Sequence, residues 1–281
     1  MEIRRLGREN APTVLILAEN ADGLLTALGE KYDLLLPTFL AEDTAEKKLA
    51  ALEAWISREC GGRLWGAFGS GEGGELLLSL RARKNVFIRR AVAEGVRTLP
   101  EGARKKTAGA LTLWYGSRDG GAKRVGRRLR KKDETLCTLT VKKLASDERL
   151  SVRDPKLAAK RLIRALGTAE VVECTKKMKS SRARLWQFIG AHPLSAGEEK
   201  LAELSPTERD GQRFVQVSER TGRRLRLWSH LTRLEDVADR ETLCTDRVEL
   251  DAGPLSKPAA VAAKVYLRSL QRKRARALKH E

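Results

Sequence analysis

The sequence predicts an α+β protein in three parts. An N-terminal ferredoxin-like βαββαβ domain spans residues 1–116, and an arginine-rich helical segment spans 117–170. A second α/β domain, 171–281, contains a β-hairpin over 212–230 and ends in a basic helix. Three observations predict this class. Apolar runs and helical stripes alternate in β–α–β–β–α–β order up to residue 116. Residues 117–133 hold eight basic side chains against Asp119 and Asp133. Gly211–His230 alternates apolar and polar residues on both sides of Arg220-Thr221-Gly222, as a hairpin does.

Residues 1–10 are polar and are expected to fray. Val14-Leu15-Ile16-Leu17, bounded by Pro12 and Glu19-Asn20, reads as a buried strand. A helical turn is expected around Leu24–Leu28, then an extended Leu34-Leu35-Leu36 before Pro37. Glu42–Glu59 is the cleanest helix, because Leu49, Leu52 and Ile56 recur at helical spacing between the cap candidates Asp43 and Thr44 and a Gly61-Gly62 stop. Arg63–Phe68 and Glu75–Arg81 read as strands joined by Gly69-Ser70-Gly71-Glu72-Gly73-Gly74. That loop lacks the Gly-Lys-Ser/Thr ending of a phosphate-binding loop, so it reads as a hairpin connection. Asn85–Thr98, with Val86, Ile88, Val92 and Val96, reads as a second helix and Ala110–Tyr115 as a strand. The resulting order is one that many RNA-recognition modules share.

Further on, Val125 and Leu129 stand four residues apart, so a helix there meets a core along one line. It turns Lys123, Arg124, Arg127, Arg128, Arg130 and Lys131 outward. Leu136–Leu144 reads as a strand and Pro155–Leu166 as a helix ended by Gly167. Lys177 and Lys179 lead into a helix over Ser180–Ile189 that exposes Arg182 and Arg184. Short and long helices are expected at Glu198–Leu204 and Pro258–Leu278.

The formal charge is +19 and the pI about 10.1. The first sixty residues carry 7 Lys and Arg against 11 Asp and Glu, and the remainder carries 49 against 26. So basic a balance points to nucleic acid as partner, ahead of an anionic membrane. Cys60, Cys137, Cys174 and Cys244 are scattered without C-x-x-C spacing, which argues against a zinc ribbon or a disulfide framework. No apolar run approaches a membrane span and no secretory leader is recognisable, so a cytoplasmic protein without metal or cofactor is expected.

In the hairpin, Val217 opposite Leu225 and Val215 opposite Leu227 would leave Arg220-Thr221-Gly222 as the loop. One face is then apolar, and the other carries Phe214, Gln216, Ser218, Arg224, Arg226 and Trp228. Aromatic rings among guanidinium groups suit phosphates and exposed bases.

The order Lys179-Ser180, a basic helix ending in His192, an acidic Glu198–Glu203, Phe214-Val215, Ser218, Thr221-Gly222 and Arg223–Trp228 resembles the CRISPR-RNA-processing endoribonucleases, the type I-F enzyme in particular. The resemblance implies metal-independent cleavage of a CRISPR repeat hairpin by 2′-hydroxyl attack. The protein would then remain on the product in a ribonucleoprotein effector complex. Ser218 takes the place of a serine that positions the attacking sugar, and His230, at the hairpin's end and in reach of a scissile phosphate, would be the second catalytic residue. Arg220, Arg223, Arg224 and Arg226 would hold phosphates. Residues 20–62 contain no histidine, Leu225 replaces a stacking aromatic, and a basic helix replaces a glycine-rich C-terminal stretch. These departures fit a divergent branch such as the type IV processing subunit. The alternatives are a non-catalytic RNA-binding subunit of such a complex and a DNA-binding plasmid or phage replication protein.

Overall fold

The computed structural model describes residues 1–19, 21–100, 109–130, 139–144, 148–191, 199–204, 213–220 and 225–278. They fall into two compact units, Met1–Thr168 and Ala169–Glu281.

The first unit runs β1 (Glu2–Gly7), β2 (Thr13–Leu17), α1 (Asp22–Gly29), β3 (Asp33–Thr38), α2 (Ala45–Cys60), β4 (Arg63–Ser70), α3 (Glu72–Arg81), β5 (Phe87–Glu94), β6 (Ala110–Gly116), α4 (Gly120–Arg130), β7 (Leu139–Leu144), α5 (Leu150–Arg153) and α6 (Pro155–Leu166). The strands form one sheet in the order β1-β3-β2-β4-β5-β6-β7. All neighbours are parallel except β1, which lies antiparallel on β3. The expected ferredoxin-like domain, four antiparallel strands backed by two helices, is therefore corrected to a doubly wound, mostly parallel sheet. The chain leaves β2 toward β3 and returns past β2 to β4. Right-handed crossovers then put α1 and α2 on opposite faces of the sheet.

Two segments account for the difference. Glu75–Arg81 belongs to α3, where Gly74, Leu77, Leu78, Leu80 and Arg81 are all buried, so no polar stripe marks it as a helix. Asn85–Thr98 contains β5, a central strand covered by β4 and β6 and by helices. Ala91, Val92, Ala93 and Glu94 are consecutively buried there, so the strand shows no period of two. The polar start also pairs rather than frays, because Arg5 of β1 bonds the Asp33 carboxylate.

Elements with complete local signals form as their residues dictate. Thr44 Oγ1 accepts from Lys47 N at 3.3 Å to start α2, and Gly61 ends it in the left-handed region at φ 60°. Asp154 caps α6 by accepting from Leu157 N at 2.9 Å, with Pro155 next to it. The far end of α6 leaves carbonyls that side chains satisfy. Trp65 Nε1 and Arg90 Nη1 donate to Leu166 O at 3.0 and 2.6 Å, and the Tyr32 hydroxyl donates to Gly167 O at 2.6 Å. On α4, Val125 and Leu129 join the core shared by α2 and α3, while Lys123, Arg124, Arg127 and Arg128 stay exposed.

The second unit contains β8 (Glu170–Met178), α7 (Arg182–Ala191), β9 (Glu199–Leu204), β10 (Arg213–Arg220), β11 (Leu227–Ala238), β12 (Glu241–Asp251) and α8 (Ser256–Ala277). Its sheet is antiparallel in the order β8-β12-β11-β10-β9. Glu199–Leu204 is a strand, not the expected helix. The hairpin register also differs: Val217 pairs with Leu231 and Ser218 with His230, because β11 extends to Ala238 between β10 and β12. Trp228, His230, Thr232 and Leu234 alternate inward along β11. The residues expected on an open platform include members of the core.

Candidate functional site

The sheet's strand order reverses between β2 and β4, and crevices form at the C-terminal ends of strands where this happens. Here β4 ends at Ser70 and α3 begins at Glu72, with Gly71 alone between them at φ 61°, ψ −122°. That backbone is open to glycine and strained for any other residue. Gly71 N donates to Glu94 O at 2.9 Å, and Gly71 O accepts from Gly74 N and Glu75 N at 3.0 and 3.1 Å, which starts the helix. Gly73 lies so close to β2 that a Cβ there would overlap the Leu17 carbonyl. The turn is therefore tight, glycine-dependent, and fixed by two strands.

Above it stands Arg149. A Cβ built on Gly71 would lie 2.5 and 2.6 Å from the atoms of the Arg149 guanidinium. The backbone that carries Arg149 is positioned by Glu94, buried at the end of β5. Its carboxylate accepts from Leu150 N at 2.6 Å, from Ser151 N at 3.3 Å, and from the Ser151 and Ser70 hydroxyls. A carboxylate at the first amides of α5 fixes that short helix, and Arg149 is the residue immediately before it. A pocket of about 310 Å³ surrounds the turn, with Asp119, Tyr115, Glu148 and Arg149 in its wall. Asp119 accepts from Arg97 Nε at 3.2 Å and from Ala122 N at 3.0 Å. Beside it a wider crevice of about 1140 Å³ opens over the ends of β2 and β3, with Leu17, Leu25, Leu36, Phe39 and Leu76 among its apolar lining residues.

The residues singled out from sequence lie elsewhere. His230 is fully buried in the second unit, its Nε2 donating to Asp246 Oδ1 at 2.9 Å. Asp246 also accepts from Thr232 at 2.8 Å, from Gln271 at 3.2 Å and from Arg274 at 2.9 Å on both oxygens. Burial alone would raise the Asp246 carboxyl, but the His230 hydrogen bond and the Arg274 charge hold it well below the usual carboxylate range. Burial, with Asp246 adding to it, pushes the neighbouring Cys244 thiol far up, so it is no nucleophile. The His230 expectation is corrected: the ring belongs to a closed core network. So is that of Trp228, which packs against Tyr266 of α8 at 5.8 Å and presents no stacking surface.

Phe214, Ser218 and Arg220 lie along β10, with Ser218 opposite His230. Lys177 pairs with Glu241, and Arg182 with Asp236 at 3.3 Å. Lys179, Arg184 and Arg226 are exposed. Lys123, Arg124, Arg127, Arg128 and Arg130 belong to α4 of the first unit. Lys131, Arg223 and Arg224 lie outside the described residues. The sequence reading missed Gly71, Glu94, Asp119 and Arg149. The glycine run between an apolar strand and a leucine-rich helix was their signal, hidden once Glu75–Arg81 read as a strand.

No protein-family model matches this sequence, and no curated protein matches it. Solved structures do resemble it. A protein from Desulfitobacterium hafniense assigned to the alpha/beta hydrolase family matches with a TM-score of 0.50 and 10% identity, over 59% of this chain and 100% of its own. Naproxen esterase from Bacillus subtilis matches at TM-score 0.44 and 12% identity, over 59% of this chain and 87% of its own. A loop variant of a haloalkane dehalogenase from Bradyrhizobium elkanii matches at TM-score 0.43 and 12% identity, over 58% and 91%.

The first of these, with the strand order above, gives the class: an α/β-hydrolase fold. The CRISPR-RNA-processing resemblance is overturned by it, because that family's ferredoxin-like domain is absent from the first unit. The repeat-RNA ligand, the effector-complex partners and the nucleic-acid alternatives rested on the same reading and are withdrawn with it. The endoribonuclease expectation falls with the ferredoxin-like domain on which it rested. Hydrolases of this fold carry the nucleophile in a G-x-S-x-G turn from strand to helix, followed in chain order by an acid and a histidine. This chain has Gly69-Ser70-Gly71-Glu72-Gly73 at that turn, with glycine in the central place. Asp119 and Arg149 follow, and residues 1–168 contain no histidine.

Proposed function

We propose that the first unit binds a small amphipathic molecule in the crevice beside the Gly71 turn without forming a covalent adduct with it. One observation carries this reading: the position that must hold the nucleophile is a glycine, and the Arg149 guanidinium occupies the space of its side chain. Covalent acyl transfer needs a nucleophile and a base within hydrogen-bond reach. Neither Gly71 nor Arg149 supplies them, so any turnover here uses direct attack by water. The crevice itself has the size and mixed lining of a ligand site, with Lys48, Glu75 and Arg149 among the apolar residues.

The full chain treated with a fluorophosphonate is expected to keep its mass. Short-chain p-nitrophenyl esters are expected to raise its melting temperature without a burst of p-nitrophenolate. A phosphonyl adduct on any residue lining the crevice refutes the reading.

A further inference from the structure

The second unit carries a surface that the crevice does not explain. α8 buries Ala263, Leu267, Gln271 and Arg274 on one side, against β8 and β12. Along its opposite side, at spacings of four, three, four and four, run Val261, Val265, Arg268, Arg272 and Arg276. All five are exposed. Val261 and Val265 are 67% and 64% exposed, and Leu255 in the preceding turn is 57% exposed. The stripe spans about 22 Å at 1.5 Å per residue. No Asp or Glu occurs between Ser256 and Leu278, whereas Lys257, Lys264 and Lys273 add exposed cations beside the arginines. Most acids of the adjoining strands have partners off this face: Glu173 and Glu249 pair with Arg247, Glu241 pairs with Lys177, Asp251 accepts from Gly253 N, and Asp246 is closed in the core network.

We infer that this face of α8 docks on an anionic phospholipid surface. A line of cations without an internal counter-charge calls for an extended anionic partner. The three aliphatic side chains decide which one. A nucleic-acid backbone gives exposed Val261, Val265 and Leu255 nothing apolar to enter, whereas the boundary between headgroups and acyl chains does. Leu255, Val261 and Val265 insert there, and Arg268, Arg272 and Arg276 lie along the phosphates. The helix lies on the bilayer rather than through it, since no described helix is long and apolar enough to cross. This inference stands independently of what the first unit binds.

The test is co-sedimentation of the full chain with vesicles at 150 mM salt, with duplex RNA as a parallel ligand. Binding is expected to vesicles containing phosphatidylglycerol and not to pure phosphatidylcholine. Val261→Ser with Val265→Ser is expected to weaken the partition about tenfold, through lost apolar insertion. Arg268→Glu, Arg272→Glu and Arg276→Glu together are expected to weaken it about 100-fold or more. These side chains are exposed, so an unchanged circular dichroism spectrum confirms that each variant folds. No binding to phosphatidylglycerol overturns the inference. So does a valine pair that leaves vesicle binding unchanged, or RNA retention stronger than vesicle binding, because either makes the face a general polyanion contact.

Discussion

Asp246→Asn is expected to cost the second unit about 3–5 kcal/mol, read from urea unfolding by circular dichroism. The carboxylate is buried and accepts from His230, Thr232, Gln271 and both oxygens' worth of Arg274. Removing its charge leaves Arg274, only 3% exposed, without its anion inside the core. An unpaired buried charge is the expensive outcome, more than the loss of the pair's own attraction. Adding Arg274→Met to Asp246→Asn is therefore expected to restore part of the loss. The pH dependence has a definite sign. The folded carboxyl sits below its ordinary value, so its contribution is complete above about pH 4, where the unfolded chain's Asp is ionised. It is lost as pH falls through the lower folded value. Asp246→Asn should accordingly flatten the stability curve below about pH 4. A variant as stable as the wild type, with the same acid limb, would show that the network is not what holds α8 to the sheet.

That network also shows what the sequence makes legible and what it hides. Helices α2 and α6 were readable because cap, apolar stripe and stop are local features within one or two turns of each other. β2 was readable as a bounded apolar run. α3 and β5 were not, because each is buried on most sides and burial erases the period that separates helix from strand. Exchanging those two assignments turned a doubly wound sheet into a four-stranded antiparallel one. The partners of Asp246 lie 14, 16, 25 and 28 residues away, and no local pattern joins them. Hence His230 read as a strand end beside a reactive site, when the fold makes it a core hydrogen-bond donor. The candidate site was hidden for a related reason. Its defining residue is a glycine, and a glycine says where a backbone must turn only once the elements on either side are known.

The two glycines of the turn are expected to respond differently to the same substitution. Gly73→Ala is expected to cost about 3 kcal/mol, since its Cβ meets the Leu17 carbonyl and parts β2 from α3. Both elements belong to the same packed core and cannot yield. At Gly71 the obstruction is the Arg149 guanidinium, the mobile end of an exposed side chain that can swing aside. Gly71→Ala then bears mainly the strain of φ 61°, ψ −122°, about 1–2 kcal/mol. Melting temperatures of the two variants check the order, and a Gly73→Ala no weaker than Gly71→Ala would refute the geometry of the turn. Gly71→Ser carries the comparison into chemistry. It places a hydroxyl where hydrolases of this fold have theirs, yet residues 1–168 offer no histidine to take its proton. Members of a catalytic triad act as a unit, so restoring one alone recovers little. Gly71→Ser should fold, displace Arg149, and still resist a fluorophosphonate on the timescale that labels a serine hydrolase. Rapid labelling of that variant would mean that the site retains a base among Glu72, Glu75 and Asp119, and that the glycine alone keeps it silent.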